Sequence, residues 1–194
     1  YVWHLYWEYG EQYLESNFLQ ATNPLPDSWS VLDSSAIEAN CLSKTINNVS
    51  ENAWTHHIQR LMILGNVALQ RGYNPKAVND WLVDAFVDGT PWVMPANAIG
   101  MSLFADGGRM STKPYAAGGA YINRMSNYCG GCKFEPKIRV GEKACPITAG
   151  YWNFLAKNEA KLSGNQRMWQ SFAGLRRLSD IDVVVDQESK RQSL

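Results

Sequence analysis

Four cysteines are the residues of this chain whose type and spacing point most directly to chemistry. Cys129 and Cys132 form a C-x2-C pair around two glycines, Cys145 follows and precedes a proline, and Cys41 lies far upstream. A C-x2-C pair can chelate one metal or cluster, and a Cys-Pro shortly after it is a common end of an iron–sulfur loop. Four thiolates suit a [4Fe–4S] cluster or an all-thiolate zinc site. The spacing therefore predicts a metal centre with Cys41, Cys129, Cys132 and Cys145 as ligands.

Other uses of four cysteines stay open at this point. Two disulfides would also consume them, but disulfide scaffolds are usually small and rich in cysteine, whereas this chain has 194 residues, of which 45% are hydrophobic. Buried free cysteines are common as well. The cysteines alone do not choose between iron–sulfur and zinc.

A second group of polar residues lies on two neighbouring predicted helices. One helix carries His56, His57 and Arg60, and the next carries Trp81, Asp84 and Asp88. An arginine and an aspartate on apolar helices are costly unless they are paired, so we expect Arg60 to pair with Asp84 or Asp88. Such a pair is often purely structural, and a His–His dipeptide on a helix more often packs or caps than catalyses.

Charge is balanced in total but uneven along the chain. The net charge is zero, yet residues 1–51 are acidic with Lys44 as their single base, and residues 109–143, around the cysteine pair, are mostly basic. An excess of positive charge can meet phosphates, although a solvated face that balances an acidic neighbour has the same composition. No run approaches the roughly 18 apolar residues of a membrane span, so we expect no membrane partner.

The coarse pattern of apolar residues predicts helices throughout. We expect helices over 2–18, 34–45, 53–70, 76–88, 147–162 and 165–178, and a loop-rich stretch over 89–120. Ser50 or Asn52 is a candidate N-cap for the third helix, and Pro75 suits the first turn of the fourth. Residues 183–185 fit a short strand or a helix end, and the chain from Asp186 on is expected to fray. The prediction is one all-α domain, 1–178, with a polar tail, 179–194.

Four runs carry a resemblance to a known family. They are 56–62 (HHIQRLM), 100–108 (GMSLFADGG), 113–132 (KPYAAGGAYINRMSNYCGGC) and 144–155 (ACPITAGYWNFL). Together with the order and separation of the cysteines, they resemble the iron–sulfur bacterial cryptochromes and photolyases over about residues 1–178. The resemblance implies that the metal centre is a [4Fe–4S] cluster.

The resemblance also implies a fold and an activity. Members of that family have an N-terminal α/β antenna domain and then a helical domain that holds FAD, with the cluster near the C-terminus. They repair (6-4) photoproducts in DNA with blue light, or act as blue-light photoreceptors without repair. This chain, which opens in mid-pattern without an initiator Met, would be the C-terminal part of the helical FAD-binding domain, and the antenna chromophore site would lie outside it.

The expected partner is UV-damaged DNA, and we expect a monomeric protein of the cytoplasm, associated with the nucleoid. A helical iron–sulfur module that binds nucleic acid without flavin, such as a primase large subunit, is a third function class. It would share the four thiolates and the basic stretch.

By resemblance, individual residues acquire roles. Arg60 with Asp88 would lie against the flavin ring, Trp81 would pass electrons to it, and one of His56 and His57, with His57 preferred, would give a proton to the lesion. The other flavin contacts would be Asp84, Met94 and Asn97. The lesion and the DNA would be bound by Met101, Phe104, Arg109, Lys113, Tyr115 and Arg124.

The chain also departs from the family pattern. Asp33-Ser34-Ser35 stands where the family usually has Trp-Thr-Gly, so a second relay indole is missing unless Trp29 substitutes for it. Met94 occupies a position where the family often has a glutamate and photolyases in general an asparagine, and it can neither donate nor strongly accept a hydrogen bond. Leu82 replaces a tyrosine beside Trp81. These departures favour signalling, or an altered photochemistry, over DNA repair.

Overall fold

A computed structural model of the chain describes residues 1–191 and residue 194. The α-helices are α1 (Val2–Tyr9), α2 (Asp27–Ser30), α3 (Asn40–Asn52), α4 (His57–Gln59), α5 (Asn66–Arg71), α6 (Pro75–Ala85), α7 (Gly119–Met125), α8 (Pro146–Leu162), α9 (Trp169–Leu175) and α10 (Ile181–Lys190). Two π-helices, Arg60–Gly65 and Ala96–Ser102, and three 3-10 helices, Gly10–Tyr13, Ser34–Ala36 and Gln166–Met168, complete the set. Within the described residues, β pairing is confined to isolated bridges. The predicted all-α class is confirmed.

One continuous helical rod carries the histidine pair, and it starts later than the sequence predicted. α4, the π-helix Arg60–Gly65 and α5 follow one another without a break up to Arg71. The predicted N-caps, Ser50 and Asn52, instead belong to α3, which a left-handed residue, Ala53 (φ 49°), closes. The actual N-cap is His56, whose Nδ1 accepts a hydrogen bond from the backbone N–H of Ile58.

The two π-helices lie against each other through a glycine. A Cβ added at Gly65 would lie 2.7 Å from the Cβ of Ser102, so a side chain at this position would force the two helices apart. π-helical turns are rare, and they occur frequently at functional sites. Here they bring residues of the histidine-bearing rod next to residues of 96–102.

The next helix begins as predicted but ends early. Pro75 lies in the first turn of α6, and the Asn74 side chain caps it by accepting a hydrogen bond of 3.0 Å from the N–H of Ala77. α6 ends at Ala85 because Phe86 is extended. Residues 86–88, predicted as helical, therefore leave the helix axis, and Asp88 turns toward Arg60.

The C-terminal segment is folded onto the domain as far as it is described. Residues 181–190 form α10 rather than a strand or a fraying tail, and Val184 is fully buried. Glu188 is also buried and pairs with Arg71 and Arg191, each at 2.8 Å. The prediction that the chain frays from Asp186 was therefore wrong. Apolar residues at helical spacing in this polar segment pack α10 against the domain. Residues 192 and 193 of the predicted tail lie outside the described residues.

Other boundaries differ in a similar way. The first predicted helix, 2–18, is α1 followed by a 3-10 turn that ends at Tyr13, and the second, 34–45, starts as a 3-10 turn and continues as α3 to Asn52. The stretch 89–120 contains a π-helix that its glycines and prolines concealed. In the described part of the chain, no helix is both long and apolar enough to cross a membrane.

Candidate functional site

A cavity of about 440 Å³ lies between the two π-helices and the end of α6. It is lined by Trp54, His56, His57, Arg60, Leu61, Leu82, Asp88, Val93, Met94, Asn97 and Ser102. Six of the residues that the resemblance assigned to catalysis or to flavin binding are in this set: both histidines, Arg60, Asp88, Met94 and Asn97. The structure thus brings together residues that are far apart in sequence.

The expected arginine–aspartate pair is present and involves Asp88. Arg60 donates from Nη1 and Nη2 to the two carboxylate oxygens of Asp88, at 2.7 and 3.0 Å. The alternative pairing with Asp84 was wrong, because Asp84 is exposed on α6 and does not line the cavity. Hydrogen bonds from Arg60 hold the pKa of Asp88 below its ordinary value, against the smaller effect of partial burial. The carboxylate is therefore charged at neutral pH.

Arg60 is held on every side. Its Nε donates to the carbonyl of Thr55 at 2.8 Å, and its guanidinium carbon lies 4.3 Å from the ring centroid of Phe86. A guanidinium with all three nitrogens in use and an aromatic ring against its face has one orientation. The cavity therefore presents an Arg60–Asp88 ion pair in a fixed orientation, beside the apolar side chains of Leu82 and Met94.

The two histidines have different surroundings. His56 caps α4: its Nδ1 accepts from the N–H of Ile58 at 3.1 Å, and its own backbone N–H donates to Gln59 Oε1 at 3.1 Å. Because Nδ1 is an acceptor, neutral His56 carries its proton on Nε2. His57 is exposed in the first turn and lines the cavity. His57 is thus the histidine whose ring nitrogens are not part of the helix cap.

Trp81 lies behind the cavity wall rather than in it. Its indole N–H donates to the carbonyl of Trp29 at 2.9 Å, and the two indole rings lie 5.0 Å apart between centroids. Trp81 also meets Phe86 edge to face at 5.9 Å, and Phe86 in turn supports Arg60. Trp29, which the sequence suggested as a substitute for the missing indole, is therefore in contact with Trp81.

The residues assigned to the lesion and to DNA are more scattered. Phe104 is only 3% exposed and packs edge to face on Phe18. Met101 is half-buried in the second π-helix. Tyr115 and the bases Arg109, Lys113 and Arg124 are exposed.

Part of the basic stretch is neutralised within the protein. Lys133 forms a salt bridge with Glu38, and Arg139 forms one with Asp180 at 2.9 Å. Among the bases of this stretch, Lys133 and Arg139 are thus paired within the protein, whereas Lys137 and Lys143 are exposed like the three bases named above.

All four cysteines line one small cavity. Cys41 lies in the first turn of α3, Cys129 and Cys132 flank a glycine turn, and Cys145 is the N-cap residue of α8. The four thiols are free. Cys41 therefore lies at the same cavity as the other three cysteines. In the structure the four form no disulfide.

Burial raises the pKa of Cys41, Cys129 and Cys145. It raises the pKa of Cys41 to about 12, with a further contribution from the other three sulfurs. N–H groups at the start of α8 partly offset the rise in the pKa of Cys145. Within residues 1–191 and 194, no group of three or more His, Cys, Asp or Glu side chains is arranged to hold a metal ion. The thiols converge without forming a finished metal site.

A glycine permits this convergence. A Cβ added at Gly119 would lie 2.7 Å from the sulfur of Cys145 and 2.9 Å from the hydroxyl of Thr148. The N–H of Gly119 donates to that hydroxyl at 2.8 Å, which donates in turn to the carbonyl of Pro136 at 2.7 Å. α7 can therefore approach the cysteine cavity only with glycine at this position.

Sequence reasoning missed several residues of the site. Trp54 and Ser102 line the large cavity, and Gln59 and Tyr128 form a hydrogen bond between α4 and the cysteine loop. The position of Gln59, three residues after a cap, matches the capping-box pattern and was detectable. A histidine is an unusual N-cap, so the pattern was not recognised.

Comparison with known proteins gives the chain relatives. A (6-4) photolyase of Agrobacterium fabrum is 48% identical over 186 residues, which cover 96% of this chain and 36% of that protein. An uncharacterized protein of Acanthamoeba polyphaga mimivirus is 32% identical over 98 residues, which cover 50% of this chain and 72% of that protein. No family model matches. This chain thus spans 36% of the length of the photolyase relative, and on this similarity it belongs to the photolyase family.

Proposed function

We propose that this chain forms part of an enzyme that repairs (6-4) photoproducts in DNA with blue light, and that flavin and lesion meet at the cavity between the two π-helices. The observation that carries the proposal is that the Arg60–Asp88 pair and the histidine pair line one cavity. The chain is 48% identical to a (6-4) photolyase but spans 36% of it. The activity is therefore proposed for the protein together with the parts of the pocket that lie outside this chain.

The residues of the cavity fit one part of an FAD site. Arg60 presents a fixed cation beside apolar walls, which suits the negative charge of a reduced flavin ring. FAD, when bound, would supply the electron that blue light makes available for repair. Asp88 would keep the guanidinium in place, and Met94 and Asn97 would contact the flavin from the second side of the cavity.

His57 would be the proton donor to the lesion, and His56 would position it. His56 already uses Nδ1 to cap α4, and protonation of that nitrogen would break the cap. His57 lines the cavity and takes no part in the cap, so its imidazole is available as a general acid. General-acid catalysis of this kind typically contributes about 10²- to 10⁴-fold in rate.

Trp81 and Trp29 would form the relay by which electrons reach the cavity from outside. Their rings are in contact, and Trp29 further contacts Tyr73 at 5.7 Å between centroids. The pair supports the idea that Trp29 substitutes for the indole missing at position 33.

The exposed bases would bind the DNA backbone. Arg109, Lys113 and Arg124 can neutralise phosphates, which fix the register of a duplex without reading its sequence. The lesion would then be extruded toward the cavity at a cost of a few kcal/mol, which damage lowers. Tyr115, 38% exposed, and Met101 would pack against the extruded base.

The cysteines would hold a [4Fe–4S] cluster with a structural role. Four free thiols around one cavity, at the N-terminus of a helix and beside a glycine turn, fit the thiolate ligation of such a cluster. Bound iron would displace the thiol protons that burial now retains. The cluster would join α3, the loop 129–132 and α8.

A blue-light photoreceptor without repair is the second candidate, and Met94 favours it. Its side chain lines the cavity where a hydrogen-bonding residue is usual in the family, and it is only 5% exposed. A thioether accepts hydrogen bonds only weakly, so the photochemistry of a bound flavin would change.

A repair assay on the full-length protein separates these functions. The protein is purified without oxygen, its flavin is measured by absorbance, and an oligonucleotide with a (6-4) photoproduct is incubated with it in blue light and in darkness. Repair in light alone supports the proposal, and bound flavin with no repair supports the photoreceptor. Absence of flavin from the folded protein overturns both.

A further inference from the structure

A tyrosine next to the cysteine site contacts the helix that carries the histidine pair. The Gln59 amide donates a hydrogen bond to the hydroxyl of Tyr128. The Tyr128 carbonyl accepts a hydrogen bond of 3.2 Å from the side chain of Asn40. Asn40 precedes Cys41, and Tyr128 precedes Cys129. Tyr128 is thus fixed at its backbone by one cysteine-bearing segment and at its hydroxyl by the histidine-bearing helix.

The oxygen of the same glutamine holds the start of that helix. Gln59 Oε1 accepts from the backbone N–H of His56 at 3.1 Å and from the hydroxyl of Thr55. The carbonyl of Thr55 accepts from Arg60 Nε at 2.8 Å. Gln59 therefore contacts His56 directly and Arg60 through one residue. We call the Gln59–Tyr128 hydrogen bond the strut.

The strut runs between two cavities. The Tyr128 side chain lines the cavity of the four cysteines and also an apolar groove of about 330 Å³ whose wall includes His56, Met62 and Met125. A displacement of the cysteine loop would move the hydroxyl, and Gln59 would have to follow or lose its partner. A partly buried polar group that loses its hydrogen-bond partner lowers the stability of the fold.

We propose that Tyr128 is a positioning residue that couples the cysteine site to the histidine pocket. Through Gln59 it fixes the first turn of α4, and with it the tautomer of His56 and the direction in which His57 and Arg60 face the cavity. The inference rests on the proposed function only where it concerns repair, because the strut itself is a feature of the fold.

Four substitutions in the full-length protein isolate the strut. Tyr128→Phe removes this hydrogen bond alone and keeps the size of the side chain, whereas Gln59→Met also removes the two hydrogen bonds that Gln59 Oε1 accepts from His56 and Thr55. Gln59→Glu keeps these hydrogen bonds, since its oxygens still accept from His56 and Thr55 and the Tyr128 hydroxyl can donate to the carboxylate. Tyr121→Phe, in the same groove, is the matched control.

Hydrogen–deuterium exchange of residues 54–62 is the first readout. We expect exchange at the start of α4 to rise about tenfold in Tyr128→Phe, the cost of one hydrogen bond, and further in Gln59→Met, which also loses the two bonds accepted by Gln59 Oε1. The double variant should be no faster than Gln59→Met alone, because the strut is already lost there, and Gln59→Glu and Tyr121→Phe should match the wild type. Unchanged exchange in Tyr128→Phe, or additive effects in the double variant, overturns the coupling.

Repair is the second readout and depends on the proposed function. We expect Tyr128→Phe and Gln59→Met to lower the rate of light-driven repair about tenfold with DNA affinity unchanged, as loss of a supporting hydrogen bond does at other sites. Gln59→Glu should restore it. Equal rates in an active wild type and in Tyr128→Phe overturn the positioning role. If the wild type shows no repair, the proposed function is excluded. Hydrogen–deuterium exchange then still tests whether the strut couples the two sites.

Discussion

At the scale of single residues, Arg60 organises the candidate site. Its two terminal nitrogens bind the carboxylate of Asp88 in a bidentate fork, its Nε binds the carbonyl of Thr55, and its face lies on Phe86. A lysine could supply the charge at this position but not the fork. The Arg60 guanidinium therefore has one orientation in the cavity before any ligand binds.

The ion pair predicts a pH dependence of stability. The pKa of Asp88 is lower in the folded protein than its ordinary value of 3.8, so the folded state binds this proton less readily than the unfolded state. The stabilisation that the ion pair gives the folded state is complete above pH 3.8. It is lost as the pH falls through the lower pKa that Asp88 has in the folded protein. Because the Asp88 side chain is 52% exposed, solvent screening keeps this stabilisation within about 1 kcal/mol.

Urea unfolding across this pH range measures the effect. The difference in unfolding free energy between the wild type and Asp88→Asn should be constant near neutral pH and shrink in acid. Asp182→Asn, at an exposed carboxylate of α10, is the control. A difference that stays constant into acid would show that the pair does not set the ionisation of Asp88.

The histidine pair predicts a separation of roles. His57→Ala should slow light-driven repair by about 10²-fold or more, because a general acid is removed, and should leave DNA affinity unchanged. His4→Ala, at an exposed residue of α1, controls for loss of a histidine as such. Repair by His57→Ala at the wild-type rate would assign the proton to another group.

At the scale of elements, the close approach of two π-helices forms the cavity. Gly65 permits the approach, since a Cβ there would lie 2.7 Å from Ser102 Cβ and 3.2 Å from the carbonyl of Arg60. The early end of α6 then lets Asp88 turn back toward the rod. Neither helix alone forms a pocket.

A methyl group at Gly65 should therefore loosen both the fold and the site. Gly65→Ala should lower the free energy of unfolding by about 2 kcal/mol, the usual cost of overpacking, and reduce retained flavin in the full-length protein. Gly164→Ala is the matched control, because a Cβ there meets open space. Denaturant unfolding measures the first effect and absorbance the second, and equal stability of the two variants would contradict the close approach.

The sequence predicted the elements with strong apolar periodicity and missed those set by tertiary contacts. α6 and α8 begin within a residue of their predicted starts because proline opens each of them. The π-helix Ala96–Ser102 was hidden in a glycine- and proline-rich stretch. A helix end at 183–185 was one of two predictions, but the extension of α10 to Lys190 was missed because this polar segment gains order from docking on the domain. The residues of the cavity came from family resemblance, since no local pattern reveals that Asp88 leaves its helix.

At the scale of the whole molecule, the cysteine cavity ties together segments that are distant in sequence. Cys41 belongs to α3 and Cys145 to the start of α8, while the loop 129–132 lies between α7 and the turn that leads to α8. A cluster bound by these cysteines would close long loops of the chain and so lower the entropy of the unfolded state. The strut extends this connection to the histidine pocket.

Loss of one cysteine should therefore act on the whole domain. Cys41→Ser in the full-length protein should lower iron content and the visible absorbance of the cluster, and Cys132→Ala should abolish the brown colour and leave the protein insoluble. Ser50→Ala, exposed on α3 with Cys41, should keep the iron. A soluble Cys132→Ala protein that retains flavin would contradict the structural role.

The most direct measurement of the central claim is the rate at which full-length protein removes (6-4) photoproducts from an oligonucleotide under blue light. The account predicts removal by the wild type in light and not in darkness, and a rate lower by about 10²-fold in Arg60→Leu, as for loss of other positioned charges. Arg176→Leu, which breaks the exposed pair with Glu159, should keep the wild-type rate. Equal rates in the two variants, or no light-dependent removal by the wild type, would contradict the account.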